Sequence, residues 1–248
     1  MKATGTGGGA FPTTDWGLIG DIRGGGATVK LAALNILIRR YWKPVFLFLR
    51  HSGADEESAK DATQAFFADW IERDAVPKAD PRRGRFRSFM LTCLKRFASN
   101  RHRAEHAGRR RPPGGIVSLD AWMDDPDMPF EPSDGMTPEA VFNRAWAVEV
   151  VRRVLDHLER ECTRTGKEVH FDILARRVVQ PILEGRPAPS MRGLAVEHAL
   201  TEKQASNHLL TAKRAYQRLL RQEIRLYAAS DAEVAEEVRE IFRILGRT

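Results

Sequence analysis

Cysteine and long apolar runs are both scarce in this chain. Only Cys93 and Cys162 occur among 248 residues, which excludes a disulfide framework, and neither has the spacing of a metal-ligand set. The longest apolar run, Val45 to Leu49, is far too short to cross a bilayer. Residues 1–12 hold one Lys and several Gly but no apolar stretch, so no secretory signal is expected. There is no Gly-rich phosphate loop, no pair of acids with metal-ligand spacing and no nucleophile elbow. An enzyme, a cofactor, a metal and a small-molecule substrate are therefore not expected. Of seven His none forms a ligand cluster, and His51, His102, His106 and His157 read as solvated. Cys93 and Cys162 fall on apolar faces and read as buried thiols. These absences leave a reduced, cytoplasmic, soluble protein with no membrane insertion.

What is present is helical. A hydrophobic fraction of 42% rules out a wholly disordered chain, and the length suits one or two domains, each with a core of its own. After the flexible leader 1–12, apolar residues recur every three or four positions from Ala27 to Leu49, with Pro44 expected to start a second helix. Asp55 is a good N-cap for a helix to about Arg73 carrying Ala59, Ala62, Phe66 and Trp70 on one face. Phe86, Phe89, Met90, Cys93, Leu94 and Phe97 mark the next helix, which ends near His102. The stretch to Thr137 is rich in Pro, Gly and Asp and too long for a loop inside one domain, so it reads as a linker. Thr137 then caps a helix with Pro138 at its first position, and further helices follow at 168–184, 190–199, 202–227 and 231–245. No stretch alternates with a period of two. The expected fold is all-α: an N-terminal helical bundle over 13–104, an acidic linker over 105–136, a C-terminal helix–turn–helix domain over 137–229 and an amphipathic helix over 230–248.

The net charge of +7 is modest, but its distribution is not. Between Arg82 and Arg111 lie eleven Lys or Arg and one acid, Glu105. Arg87, Lys95, Arg96 and Arg103 fall opposite the apolar stripe, interleaved with Ser88, Thr92, Ser99 and Asn100, a face suited to a phosphate backbone. The linker is the reverse: Asp120, Asp124, Asp125, Asp127, Glu131, Asp134 and Glu139 occur with no Lys or Arg among them.

Near the C-terminus, Ser190 to Thr201 reads as a short helix and a turn, and Thr201 caps a second helix from Glu202. Leu194, Ala195, Ala205, Leu209 and Ala212 would form the seam between them. Lys203, Gln204, Ser206, Asn207 and His208 then stand where a recognition helix meets base edges. Asn and Gln can read adenine, and Lys203, Lys213, Arg214 and Arg218 can hold phosphates. The turn lacks the glycine that often helps it.

Taken together, three runs resemble region 2 of extracytoplasmic-function RNA polymerase sigma factors: Ser58 to Phe67, Gly84 to Leu91 and Asn100-Arg101. The restart at Thr137-Pro138-Glu139 and the terminal helix–turn–helix resemble region 4. Thr13-Thr14-Asp15-Trp16 and Tyr41-Trp42-Lys43-Pro44 resemble a planctomycete-type subgroup. The resemblance implies polymerase binding by Asp61 and Gln64, which share one helix face at i, i+3, with Lys60 beside them. It implies capture of the −10 element by Arg85, Arg87, Ser88, Lys95, Arg96, Asn100, Arg101 and Arg103. It implies −35 recognition by Thr201, Lys203, Gln204, Ser206, Asn207, His208, Lys213 and Arg214. The implied partners are core RNA polymerase, promoter DNA and, by analogy, a separate anti-sigma protein. From the residues alone, a helix–turn–helix repressor or activator is the competing reading. The tail helix, with Val234, Val238, Ile241 and Leu245 on one side, either packs on the preceding domain or shields the recognition helix.

Overall fold

The computed structural model describes residues 17–80, 84–106, 132, 135–226, 228 and 230–246; the side chains of 17, 77 and 102–106 are not described. Every regular element among them is helical. The N-terminal part comprises α1 (Gly17–Gly24), α2 (Ala27–His51), α3 (Glu56–Glu72) and α4 (Phe86–His106), with a 3₁₀ turn at Val76–Lys78. The C-terminal part comprises α5 (Pro138–Arg164), α6 (Glu168–Leu174), α7 (Gln180–Glu184), α8 (Met191–Glu197), α9 (Glu202–Arg225) and α10 (Asp231–Leu245). The leader 1–12 and most of the expected acidic linker lie outside the described residues.

Local chemistry sets the helix starts. Asp55 accepts from the Ser58 N–H, Thr137 from Ala140, Ser190 from Gly193 and Ser230 from Glu233, so each cap satisfies a donor the helix cannot. Proline behaves less simply. Instead of starting a helix, Pro44 lies inside one continuous α2, because every residue from Tyr41 to Leu49 is buried and packing holds the segment helical past the missing N–H. The expected helix over 168–184 is interrupted by a π turn at Ala175–Val179, where the Gln180 N–H reaches the Ala175 carbonyl. This wider turn directly precedes Pro181, which cannot continue a regular α ladder.

The two segments flanking the expected linker share one core rather than burying two. Helix α2 packs along α5, and Tyr41 of α2 contacts Phe86 of α4 edge-on at 5.7 Å and stacks on Phe142 of α5 at 6.4 Å. Phe66, Phe67 and Trp70 of α3 close the same core with Phe86 and Phe97 of α4. The far end of α9 adds Leu219, Leu220 and Ile224, and α10 adds Val234, Ile241 and Leu245. Each large side chain buried this way contributes about 1.5–3 kcal/mol. A second, small cluster holds the helix–turn–helix: Ile173, Leu194, Ala195 and Ala205, flanked by Val169, Met191, Leu200 and Leu209. Ala212, expected in that seam, belongs to the main core.

Charge also joins the segments. Arg40 of α2 grips Glu223 of α9 with two hydrogen bonds of 3.1 and 3.2 Å, and Arg153 of α5 adds a third of 2.9 Å. Lys43 and Glu149, 3.7 Å apart, extend the network.

Candidate nucleic-acid interface

The exposed face of α4 is built by the register of its apolar stripe. Phe86, Met90 and Leu94 are fully buried, with Phe89, Cys93 and Phe97 packed against the core, so the opposite side carries Ser88, Lys95, Arg96, Ser99 and Asn100 into solvent. Lys95, Arg96, Ser99 and Asn100 line a shallow open depression of about 390 Å³. It offers cations and hydrogen-bonding groups without enclosing walls, which suits a strand running across it better than a small substrate held inside it. The Arg96 and Asn100 side chains are exposed and make no hydrogen bond or ion pair with other described residues. Lys95 pairs with Glu139 of α5 at 2.6 Å, and that cation holds the Glu139 carboxyl below its ordinary range.

Two expected DNA contacts are sequestered. Arg87 is 5% exposed, donates to Asn143 and lies over the Trp146 ring at 4.2 Å. Arg85 is half-buried and binds Glu236 and Glu237 of α10 at 2.9 and 3.2 Å. Both arginines sit at the start of α4, where the C-terminal helix crosses it. Arg101 is half-buried, and the Arg103 side chain lies outside the description.

On α3, Ala59, Ala62, Thr63, Phe66, Phe67 and Trp70 face inward, leaving Asp61 exposed and Lys60 and Gln64 half-exposed on the outer side. Lys60 forms an i, i+4 pair with Glu56 at 3.1 Å. The face the resemblance assigns to polymerase is therefore accessible.

Helices α8 and α9 follow one another across a tight turn at 198–201, with one device the sequence obscured. Ala199 takes the turn at φ +53°, the left-handed conformation usually given to glycine. Thr201 and Gln204 then form a reciprocal capping box: the Thr201 hydroxyl accepts from the Gln204 N–H, and the Gln204 side-chain oxygen accepts from the Thr201 N–H. That bond assigns the Gln204 side-chain oxygen to the helix start rather than to base reading. Lys203, Ser206, Asn207, Lys213 and Arg214 are exposed. His208 turns inward and stacks on His170 of α6 at 3.9 Å between centroids. Burial, then the charges of His208 and Lys167, draw the His170 ring below its ordinary value. Arg218, an expected phosphate contact, donates to Glu161 at 2.6 and 2.8 Å while its side chain stays 46% exposed. His198 to Asp172 fastens the end of α8 onto α6, and Arg176 to Glu197 fastens it onto the π turn that follows α6.

The other expectations divide. His157 is exposed, but His51 is half-buried and its Nε2 lies 2.5 Å from the Met136 carbonyl oxygen. Cys162 is buried and Cys93 partly so, and burial pushes both thiols up. No described helix is long and apolar enough to cross a membrane, and no group of three or more His, Cys, Asp or Glu among the described residues is placed to hold a metal.

Four features escaped the sequence reading: the burial of Glu237, the bridging role of Glu223, the pairing of Lys95 with Glu139 and the histidine stack. For the first two a signal existed. Glu237 falls three residues after Val234 and four before Ile241, and Glu223 directly precedes buried Ile224, so each carboxylate lies in or beside the apolar register of its helix.

Fold and site define an all-helical protein with a basic depression on one helix and a helix–turn–helix with an exposed polar leading edge. Compared with known protein families, curated proteins and solved structures, the chain finds no match.

Proposed function

We propose that the chain is a promoter-specificity subunit of bacterial RNA polymerase, of the extracytoplasmic-function sigma type. In this reading α3 docks on the polymerase through Asp61 and Gln64, with Lys60 alongside. The depression on α4 holds unstacked bases and phosphates of the −10 element through Arg96, Ser99 and Asn100. Helix α9 enters the major groove at the −35 element with Lys203, Ser206 and Asn207, and Lys213 and Arg214 take flanking phosphates. The observation that supports the reading is the presence on one chain of two separate polar, basic faces beside an accessible α3 face carrying Asp61 and Gln64, the residues in which the chain resembles the sigma-factor docking helix.

One observation favours a second reading, a helix–turn–helix repressor or activator. The segments around α2 and α5 share a core, so both basic faces belong to one packed body, as in a protein that binds its operator unaided. Affinity capture of purified core polymerase separates the two. The Asp61→Ala/Gln64→Ala double variant is expected to lose polymerase while still binding duplex DNA in an anisotropy assay. Wild-type protein that binds DNA but never retains polymerase would establish the second reading instead.

A further inference from the structure

The start of α4 holds a formed anion site that is already filled. Arg85 Nη2 donates to Glu236 Oε2 at 2.9 Å, and Arg85 Nε lies 3.2 Å from Glu237 Oε1. Arg87 Nη2 reaches Glu237 Oε2 at 3.4 Å, while its Nη1 donates to Asn143 and its plane covers Trp146. The Glu237 side chain is 2% exposed. A pair of guanidiniums aimed at one small volume binds carboxylate and phosphate by the same forked geometry. The occupant comes from about 150 residues further along the chain, the separation of the Arg87–Glu237 contact.

The fit to this occupant is incomplete. Arg87 Nε and the Tyr41 hydroxyl, both buried beside it, have no hydrogen-bond partner among the described residues. A buried donor left unpaired is costly, and a fold that needed only a hydrophobic clasp here would place an apolar residue at position 237. The remaining stripe of α10, Val234, Ile241 and Leu245, is of that ordinary kind. Arg85 and Arg87 also stand at the start of the helix whose later turns carry Lys95, Arg96 and Asn100.

We infer that Arg85, Arg87 and Asn143 form a nucleic-acid phosphate site that the C-terminal helix occupies in cis with Glu236 and Glu237, so that α10 and DNA compete for it. The inference rests on the reading of α4 as a DNA-contacting helix. In the form described here the site is closed, and DNA gains those contacts only as α10 lifts away.

The test is a salt titration of full-length protein against a fluorescein-labelled 30-base-pair duplex, read by anisotropy. The variants are Glu236→Gln and Glu236→Gln/Glu237→Gln, each checked for helicity and melting by circular dichroism. Releasing two arginines to phosphates makes the negative slope of log K against log salt steeper by about 1.8 and tightens binding roughly tenfold at low salt. Glu236→Gln removes one of the two acids on Arg85, which keeps Glu237 at 3.2 Å, so it steepens the slope by less than about 0.9 and decides the matter if the double variant unfolds. A synthetic peptide of residues 230–246 added in trans restores the wild-type slope. Wild-type binding with unchanged slopes in folded variants overturns the cis-occupied site alone. No DNA binding by wild type or variants overturns the DNA reading and this site with it.

Discussion

Glu223 is the residue whose loss should most disturb the joint between the two halves. Its carboxylate receives Arg40 from α2 and Arg153 from α5, and the Arg40 and Glu223 side chains are only 12% and 14% exposed. At 3.1 Å and an effective dielectric near 20, the Arg40–Glu223 attraction alone is about 5 kcal/mol before desolvation is subtracted. Replacing the carboxylate by a methyl group leaves two guanidiniums facing each other in a poorly solvated joint, a change that costs about 3–5 kcal/mol in buried pairs. Arg153 retains Glu149 at 3.8 Å and is 25% exposed, which places Glu223→Ala near the lower end, about 3 kcal/mol. For a chain of this length that lowers Tm by about 6–12 °C. Urea denaturation followed by circular dichroism measures it, and the arm with Arg40→Met gives the coupling, expected at about 1.5–3 kcal/mol. Burial raises the Glu223 carboxyl, but the charges and hydrogen bonds of Arg40 and Arg153 outweigh it and hold the group below its ordinary 4.5. A carboxyl lowered by folding stabilises above its unfolded value, and that stability is lost as pH falls through the folded value. The difference between wild type and Glu223→Gln should therefore be full at neutral pH and close on acidification below about 4.5. A Glu223→Ala protein within about 0.5 kcal/mol of wild type would refute the reasoning.

Three further outcomes follow from the geometry. Ala199→Gly relieves the left-handed conformation at φ +53° on an exposed turn and should raise stability by about 1 kcal/mol, read as a higher urea midpoint. Lys203→Ala should weaken duplex binding and reduce the salt slope by about 0.9, the signature of one lost phosphate contact; an unchanged slope would remove Lys203 from the phosphate contacts. Arg96→Ala should reduce promoter opening, followed by permanganate reactivity of unpaired thymines, while polymerase capture stays at the wild-type level.

Local chemistry made most of the helices legible and none of the long-range pairing. The caps at Asp55, Thr137, Ser190, Thr201 and Ser230 mark the starts of five helices because a side-chain oxygen three residues before a free N–H is a local arrangement. Pro44 misled because proline preferences are also local, whereas the buried run around it answers to packing, and the expected continuous helix over 168–184 gives way to a π turn before Pro181. The candidate site shows the same division. Arg96 and Asn100 are exposed as the helical register predicts. Arg87, beside Phe86 and three residues before Met90, lies at the edge of the apolar stripe, and its partners Asn143, Trp146 and Glu237 come from helices α5 and α10. Amphipathic patterning assigns such a residue to solvent because it has no knowledge of an acid about 150 positions away, the separation of Arg87 from Glu237. The tail helix packs as its stripe of Val234, Ile241 and Leu245 implies, and it covers the start of α4.

The most direct measurement of the central claim is in vitro transcription with purified bacterial core polymerase, this chain and a library of genomic promoter fragments. Discrete transcripts are expected that require the chain, share two sequence elements at constant spacing and disappear with Asp61→Ala/Gln64→Ala. Polymerase that produces no specific transcripts with the folded, DNA-binding protein would contradict that claim.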